Sequence, residues 1–147
     1  MKTLIELLAA GNDPSVCLTA ANSAPLTYST LRQLNRYVQA QFNQVGIGRN
    51  DRVALVLPNS AEMAASFVTV ACCCTSAPLN PSYRADEFEF YLNDLNAKAL
   101  VVEKGSSSPA VAVAAKMGIA LIELEPTPTL GAGSFTLNMQ GLAPKAA

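Results

Sequence analysis

Three consecutive cysteines, Cys72, Cys73 and Cys74, stand in the stretch ACCCTSAPLNP that runs from Ala71 to Pro81. Adjacent thiols invite a metal or redox reading. A structural zinc site needs four ligands, usually at C-x-x-C or histidine spacing. The chain has a fourth cysteine, Cys17, but no histidine. On a helix, successive side chains are rotated by about 100°, so three neighbours diverge rather than converge on one ion. Neighbouring cysteines are also poor disulfide partners. The expectation is no metal site and small, buried packing residues, in keeping with the habit of free cysteine.

A second candidate is the loop KGSSS, Lys104–Ser108. It follows an apolar run and precedes a helical pattern, so Lys104, Gly105, Ser106 and Ser107 form a weak anion-site candidate at a helix N-terminus. The P-loop pattern and the dinucleotide G-x-G-x-x-G are both absent, and a solvated loop is the competing reading. Gly131-Ala132-Gly133-Ser134 has no strand signal before it and is weaker. Asp86, Glu87 and Glu89 crowd the first turn of another helical pattern, where the helix dipole and the free amides favour carboxylates; capping is the reading preferred there. With no histidine and no G-x-S-x-G, the sequence offers no self-contained nucleophile, base or metal centre, so no catalytic residue is assigned.

The elements that would position these residues follow from periodicity. MKTLIELLAAG at the start has the lysine and apolar stretch of a signal peptide, but Glu6 interrupts it. A short helix with the Thr3-x-x-Glu6 capping box, stopped by Gly11-Asn12-Asp13-Pro14, is preferred. Val16–Thr19 and Leu26–Tyr28 flank a turn-rich segment and predict a small hairpin or a pair of edge strands. Leu31, Leu34, Val38, Phe42 and Val45 line one helical face, with Ser29 available as cap and Gly46 as stop.

Arg52–Leu57, closed by Pro58, has the uninterrupted apolar character of a parallel strand covered on both faces. Asn59 with Glu62 resembles a capping box, and Ser60–Thr75 reads as one buried helix containing the cysteines. Ala77–Leu79, Ala99–Val102 and Ile119–Leu124 are strand candidates. Between them lie a helix over Ala85–Leu95, with Phe88, Tyr91, Leu92 and Leu95 on one face, and a helix over Ala110–Met117 ended by Gly118. Repeated β-α-β units predict an α/β fold: a mostly parallel sheet with helices on both faces. That unit is expected to span 1–125, with 126–147 a linker or unfinished connection.

Composition agrees. At 147 residues, half of them apolar and 14% charged, the chain can bury a real core and is too hydrophobic for a disordered tail. Its net charge of −1 is scattered, so no nucleic-acid partner is implied. The longest apolar run, Met63–Cys74, is shorter than the roughly 20 residues a bilayer requires. Nothing asks for an oxidising compartment, and an intracellular, most simply cytoplasmic, setting is expected.

The span Leu26–Val102 carries an ordered set of pieces: LTY, an amphipathic helix, GIGRNDRVAL (Gly46–Leu55), PNSAE (Pro58–Glu62), an apolar helix, APLNPSY (Ala77–Tyr83) and a helix with an acidic start. In that order they closely resemble the beginning of the adenylate-forming, AMP-binding acid–CoA ligases. APLNPSYRADEFEFYLND looks most like the oxalate–CoA ligase and peroxisomal acyl-CoA synthetase branch. The resemblance implies the N-terminal, incomplete subdomain of that fold. It also implies a complete parent that uses ATP, magnesium and coenzyme A to convert a carboxylate through an acyl-adenylate to an acyl-CoA, in the cytoplasm or a peroxisome.

Two departures matter. Arg84 stands where such enzymes commonly carry a threonine or similar helix cap, a task Ser82 or solvent would have to share. The larger departure is truncation: the Ser/Thr/Gly-rich loop ending in Pro-Lys-Gly that grips the ATP phosphates in the family lies beyond the matched region. Pro144-Lys145 imitates only two of its letters. The resemblance therefore carries no catalytic role onto any position. The expectation is a scaffold subdomain, inactive alone and without a cofactor of its own, whose partner is the remainder of the parent. The alternative is a free-standing, non-catalytic paralogue that pairs with a copy of itself as a homodimer.

Overall fold

The structure is a computed structural model and describes residues 3–139. The order of elements is α1 (Leu4–Ala9), β1 (Val16–Leu18), β2 (Leu26–Thr27), α2 (Tyr28–Gln44), β3 (Arg52–Val56), α3 (Ala61–Ala71), β4 (Thr75–Pro78), α4 (Ala85–Leu95), β5 (Ala99–Glu103), α5 (Pro109–Met117), β6 (Ala120–Pro126) and β7 (Phe135–Asn138). β1 and β2 form a separate antiparallel pair. The main sheet has the order β4-β3-β5-β6-β7, parallel except for β7, which runs antiparallel to β6.

Both faces of the sheet are covered, which explains the near-continuous apolar lettering of its central strands. Val53 and Leu55 of β3, Ala99 and Val101 of β5, and Ile122 and Leu124 of β6 pack under α2 and α3 with Val38, Phe42 and Val70. Ala54 and Val56, then Leu100 and Val102, point the other way, against Phe88 and Leu92 of α4 and Ala110, Val113 and Ala114 of α5. A smaller cluster of Leu26, Leu31 and Ala132 joins the hairpin to the segment after β6. The α/β fold with helices on both faces is the one read from periodicity.

The caps show where local competition decided boundaries. Thr3 and Glu6 form the expected box on α1. The α2 cap is Thr27 rather than Ser29: its hydroxyl accepts the Thr30 amide at 3.2 Å, and the helix begins one residue later. The α3 cap is Ser60 rather than Asn59, its hydroxyl accepting from Met63 at 3.1 Å. On α4, Glu87 reaches back to the Arg84 amide at 3.1 Å. Ser82 instead donates its own amide to Asn80 Oδ1 at 2.9 Å. That carboxylate satisfies the amide of the cap residue itself, while Arg84 gives the first-turn amides no side-chain cap of the kind a threonine hydroxyl would. Gly118 closes α5 at φ 71°, a left-handed conformation that glycine adopts without strain.

α3 is shorter than its composition suggests. α3 ends at Ala71, Cys72 is its C-cap with an amide that still donates to the Val68 carbonyl at 3.1 Å, and Cys73 and Cys74 lie in the turn into β4. The turn is required because β4 must start at Thr75 to pair with Arg52.

The segment 126–139, expected as a linker or unfinished connection, carries defined structure. A 3-10 turn at Pro128–Leu130 leads to β7 on the sheet edge. Its glycines serve close approach. A Cβ on Gly133, where φ is +83°, would stand 2.6 Å from the carbonyl oxygen of Ala61. Pro144 and Lys145 lie outside the described residues.

Candidate functional site

In a doubly wound sheet, the crevice available to a ligand lies beyond the carboxyl ends of the strands, where the strand order reverses. Here the chain steps from β3 to β4 on one side and then crosses back to β5 on the other, so the reversal falls between β3 and β5. A groove of about 430 Å³ opens at that point. It is lined by Val56 at the end of β3 and Pro58 beyond it, Pro81 after β4, and Glu103 at the end of β5 with Lys104 to Ser108 after it. The four residues singled out as an anion candidate, Lys104, Gly105, Ser106 and Ser107, are therefore brought to the right place in the fold.

Their polar groups are largely engaged already. The Gly105 amide donates to the Glu123 carboxylate at 3.3 Å, and the Ser106 amide to the Glu103 carbonyl at 3.0 Å. The Ser108 amide donates to Ser106 Oγ at 3.1 Å. Ser108 in turn caps α5 by accepting the Ala110 amide at 3.2 Å, and Pro109 at the first helical position has no amide hydrogen to offer. The Lys104 ammonium lies 3.4 Å from Glu125. Two carboxylates thus stand beside the loop, a poor electrostatic setting for a phosphate.

Glu123 and Glu125 escaped the reading of the loop because they arrive from β6, about twenty residues on. The signal that could have found them is the alternation Leu121, Glu123, Glu125 between Ile122 and Leu124, which puts both acids on one face of the strand next to the preceding loop.

The other carboxylates do structural work. Glu87 caps α4, Asp86 lies 3.6 Å from the Arg84 guanidinium, and Glu89 pairs with Lys116 of α5 at 3.3 Å. Among the described residues no group of three or more histidine, cysteine or acidic side chains has the placement of a metal site. No helix of the described residues is long and apolar enough to cross a membrane.

The cysteines are the position where the structure departs most from helical reasoning. All three border one hollow of about 420 Å³, shared with Thr3, Leu4, Ile5, Arg49 and Ala71. Cys74 is buried; Cys72 and Cys73 are half-buried. A hydrogen bond with Cys74 lowers the Cys73 thiol from its ordinary pKa, against burial and the Asp51 carboxylate. The same bond, with burial, pushes Cys74 far up, and burial raises Cys72 and Cys17.

A family model described as "AMP-binding enzyme" matches residues 9–137. The chain belongs to the AMP-binding enzyme family. Among relatives, it is 38% identical over 104 residues to an oxalate–CoA ligase of Arabidopsis thaliana, a match covering 69% of this chain and 20% of that enzyme. It is 31% identical over 124 residues to an oxalate–CoA ligase of Saccharomyces cerevisiae, covering 77% of this chain and 23% of the relative. Among solved structures, apo MatB from Rhodopseudomonas palustris superposes with a TM-score of 0.72 at 22% identity, over 94% of this chain and 30% of that one. That likeness establishes the adenylate-forming N-terminal fold. The chain spans about a fifth of the length of the oxalate–CoA ligases it matches.

The family is one of ATP-dependent CoA ligases, so the crevice can be tested for fit to a nucleotide. The described residues do not fit a triphosphate. The loop's one cation is paired with Glu125, the amides of Gly105, Ser106 and Ser108 are engaged within the chain, and the carboxylate on the groove's own wall is that of Glu103.

Proposed function

We propose that this chain is the N-terminal scaffold subdomain of an ATP-dependent acid–CoA ligase and is not catalytic by itself. In the whole enzyme the reaction would convert a carboxylate, ATP and coenzyme A to an acyl-CoA, AMP and pyrophosphate. This chain's share would be to hold the sheet and helices against which the rest of the protein, its partner, completes the substrate cleft. The observation that carries this reading is the self-satisfied loop at the switch point: Gly105, Ser106 and Ser108 bond within the chain, and Lys104 is paired. Charge stabilisation at the transferring phosphates, which drives such chemistry, must then come from other residues. The test is ATP–pyrophosphate exchange by the purified chain with a panel of carboxylic acids that includes oxalate. No acid-dependent exchange is expected; exchange with any acid would overturn the reading.

A second reading, a free-standing module that pairs with its own copy, is favoured by one feature. Phe90 is 65% exposed on the outer face of α4, beside the stacked rings of Tyr83 and Tyr91. Sedimentation across micromolar concentrations separates the two, since a monomer throughout would remove the homodimer.

A further inference from the structure

Residues 3–11 are joined to the rest of the described structure by side chains alone. The backbone hydrogen bonds of this stretch stay inside it: the Leu7 amide donates to the Thr3 carbonyl at 3.1 Å and the Ala10 amide to the Leu7 carbonyl at 3.2 Å. Among the described residues none reaches another element. The chain is first tied down through its backbone at Asp13 and Ser15, whose carbonyls accept the Ser29 amide at 3.1 Å and the Tyr28 amide at 3.0 Å. Asn12 thus stands between a tied and an untied segment.

Two clasps hold the untied part. Half-buried Arg32 of α2 donates to the carbonyls of Leu8, Ala9 and Gly11, and its pair with Asp13 keeps the guanidinium in place. Gly11 lies against the Tyr28 ring, so close that a Cβ there would stand 2.5 Å from a ring carbon. Apolar burial adds little: α1 has no buried residue, Ile5 and Leu7 are exposed, and half-buried Leu8 packs against the Leu26, Leu31 and Ala132 cluster. A helix of six residues is too short to persist in water undocked, so α1 exists only while it is held.

We infer that residues 3–11 form a strap that opens and closes as one unit about Asn12, with Arg32 as its latch. Closed, the strap covers the cluster with Leu8 and turns Ile5 and Leu7 outward. Open, it loses its helix and withdraws Leu8, while Asp13 and Ser15 keep the hairpin tied to the start of α2. The central strands take no part, since β3 and β5 are packed between α2 and α3 on one face and α4 and α5 on the other. The device does not depend on the scaffold reading, which pyrophosphate exchange tests separately.

Hydrogen–deuterium exchange of the full chain tests the strap. In the unsubstituted chain the amides of Leu7–Ala10 are expected to exchange at least about a hundredfold faster than those of Val53–Val56 and Leu100–Val102, because local opening needs far less than global unfolding. Arg32→Gln should speed the strap amides roughly tenfold further, the effect of losing hydrogen bonds from a charged donor, and leave the strand amides within about twofold. Gly11→Ala, which forces the strap off Tyr28 with the latch residue intact, should speed the same amides and spare the same strands. Strap amides as slow as the strand amides, failure of Arg32→Gln or of Gly11→Ala to speed them, or equal acceleration of strap and strands would each overturn the proposal.

Discussion

The hydroxyl of Thr27 has two tasks at the entry to α2: it accepts the Thr30 amide at 3.2 Å and lies 3.1 Å from the Thr30 hydroxyl. The side chain two places on, Ser29, is already inside the first turn, and its amide donates to the Asp13 carbonyl. Replacing Thr27 by alanine should therefore cost ~1 kcal/mol of stability, the usual worth of an N-cap. Ser29→Ala should stay within about 0.5 kcal/mol, as for a substitution away from any special feature. Urea denaturation midpoints of the two variants measure the difference. Arg32 acts at similar reach: its guanidinium pairs with Asp13 and donates to the carbonyls of Leu8, Ala9 and Gly11. It thereby satisfies the last carbonyls of α1, a helix with no buried residue of its own.

The edge of the sheet at β7 shows how one side chain can finish an element. A strand at an edge presents unpaired amides and carbonyls that invite another strand. At Leu137 both groups are met by the Tyr37 hydroxyl of α2, which accepts the amide at 3.0 Å and donates to the carbonyl at 3.4 Å. Tyr37→Phe keeps the ring and removes both bonds. The expected cost is about 1–2 kcal/mol, together with increased self-association from the opened edge, read by urea denaturation and by sedimentation. None of this was visible in the sequence, because Tyr37 and Leu137 are a hundred residues apart and a period-3.6 pattern says nothing of a hydroxyl's target. The legible elements were those whose residues alone settle the matter. β3 and β5 are apolar on both faces, α2 has a long amphipathic stripe, and α5 has Gly118 to stop it. Boundaries shifted where two residues competed for one task, as with Ser60 and Asn59. They also shifted where pairing overruled propensity, as when Thr75 had to join Arg52 and so ended α3 before the cysteines.

For the molecule as a whole, the site was legible in place but not in state. A strand followed by KGSSS and a helix puts Lys104–Ser107 at the reversal of a parallel sheet, and local chemistry alone permits an anion there. The carboxylates of Glu123 and Glu125 change that chemistry, and they come from the next strand in the sheet. The family membership carried by residues 9–137 gives the chain its context, and the chain spans about a fifth of the length of the oxalate–CoA ligases it matches. At the switch point the amides of Gly105, Ser106 and Ser108 are already taken and the Lys104 ammonium is paired, so magnesium–ATP should find no site there. Calorimetric titration of the purified chain with magnesium–ATP tests it most directly. The expected result is no saturable heat at millimolar nucleotide; saturable binding that is abolished by Lys104→Gln would contradict it.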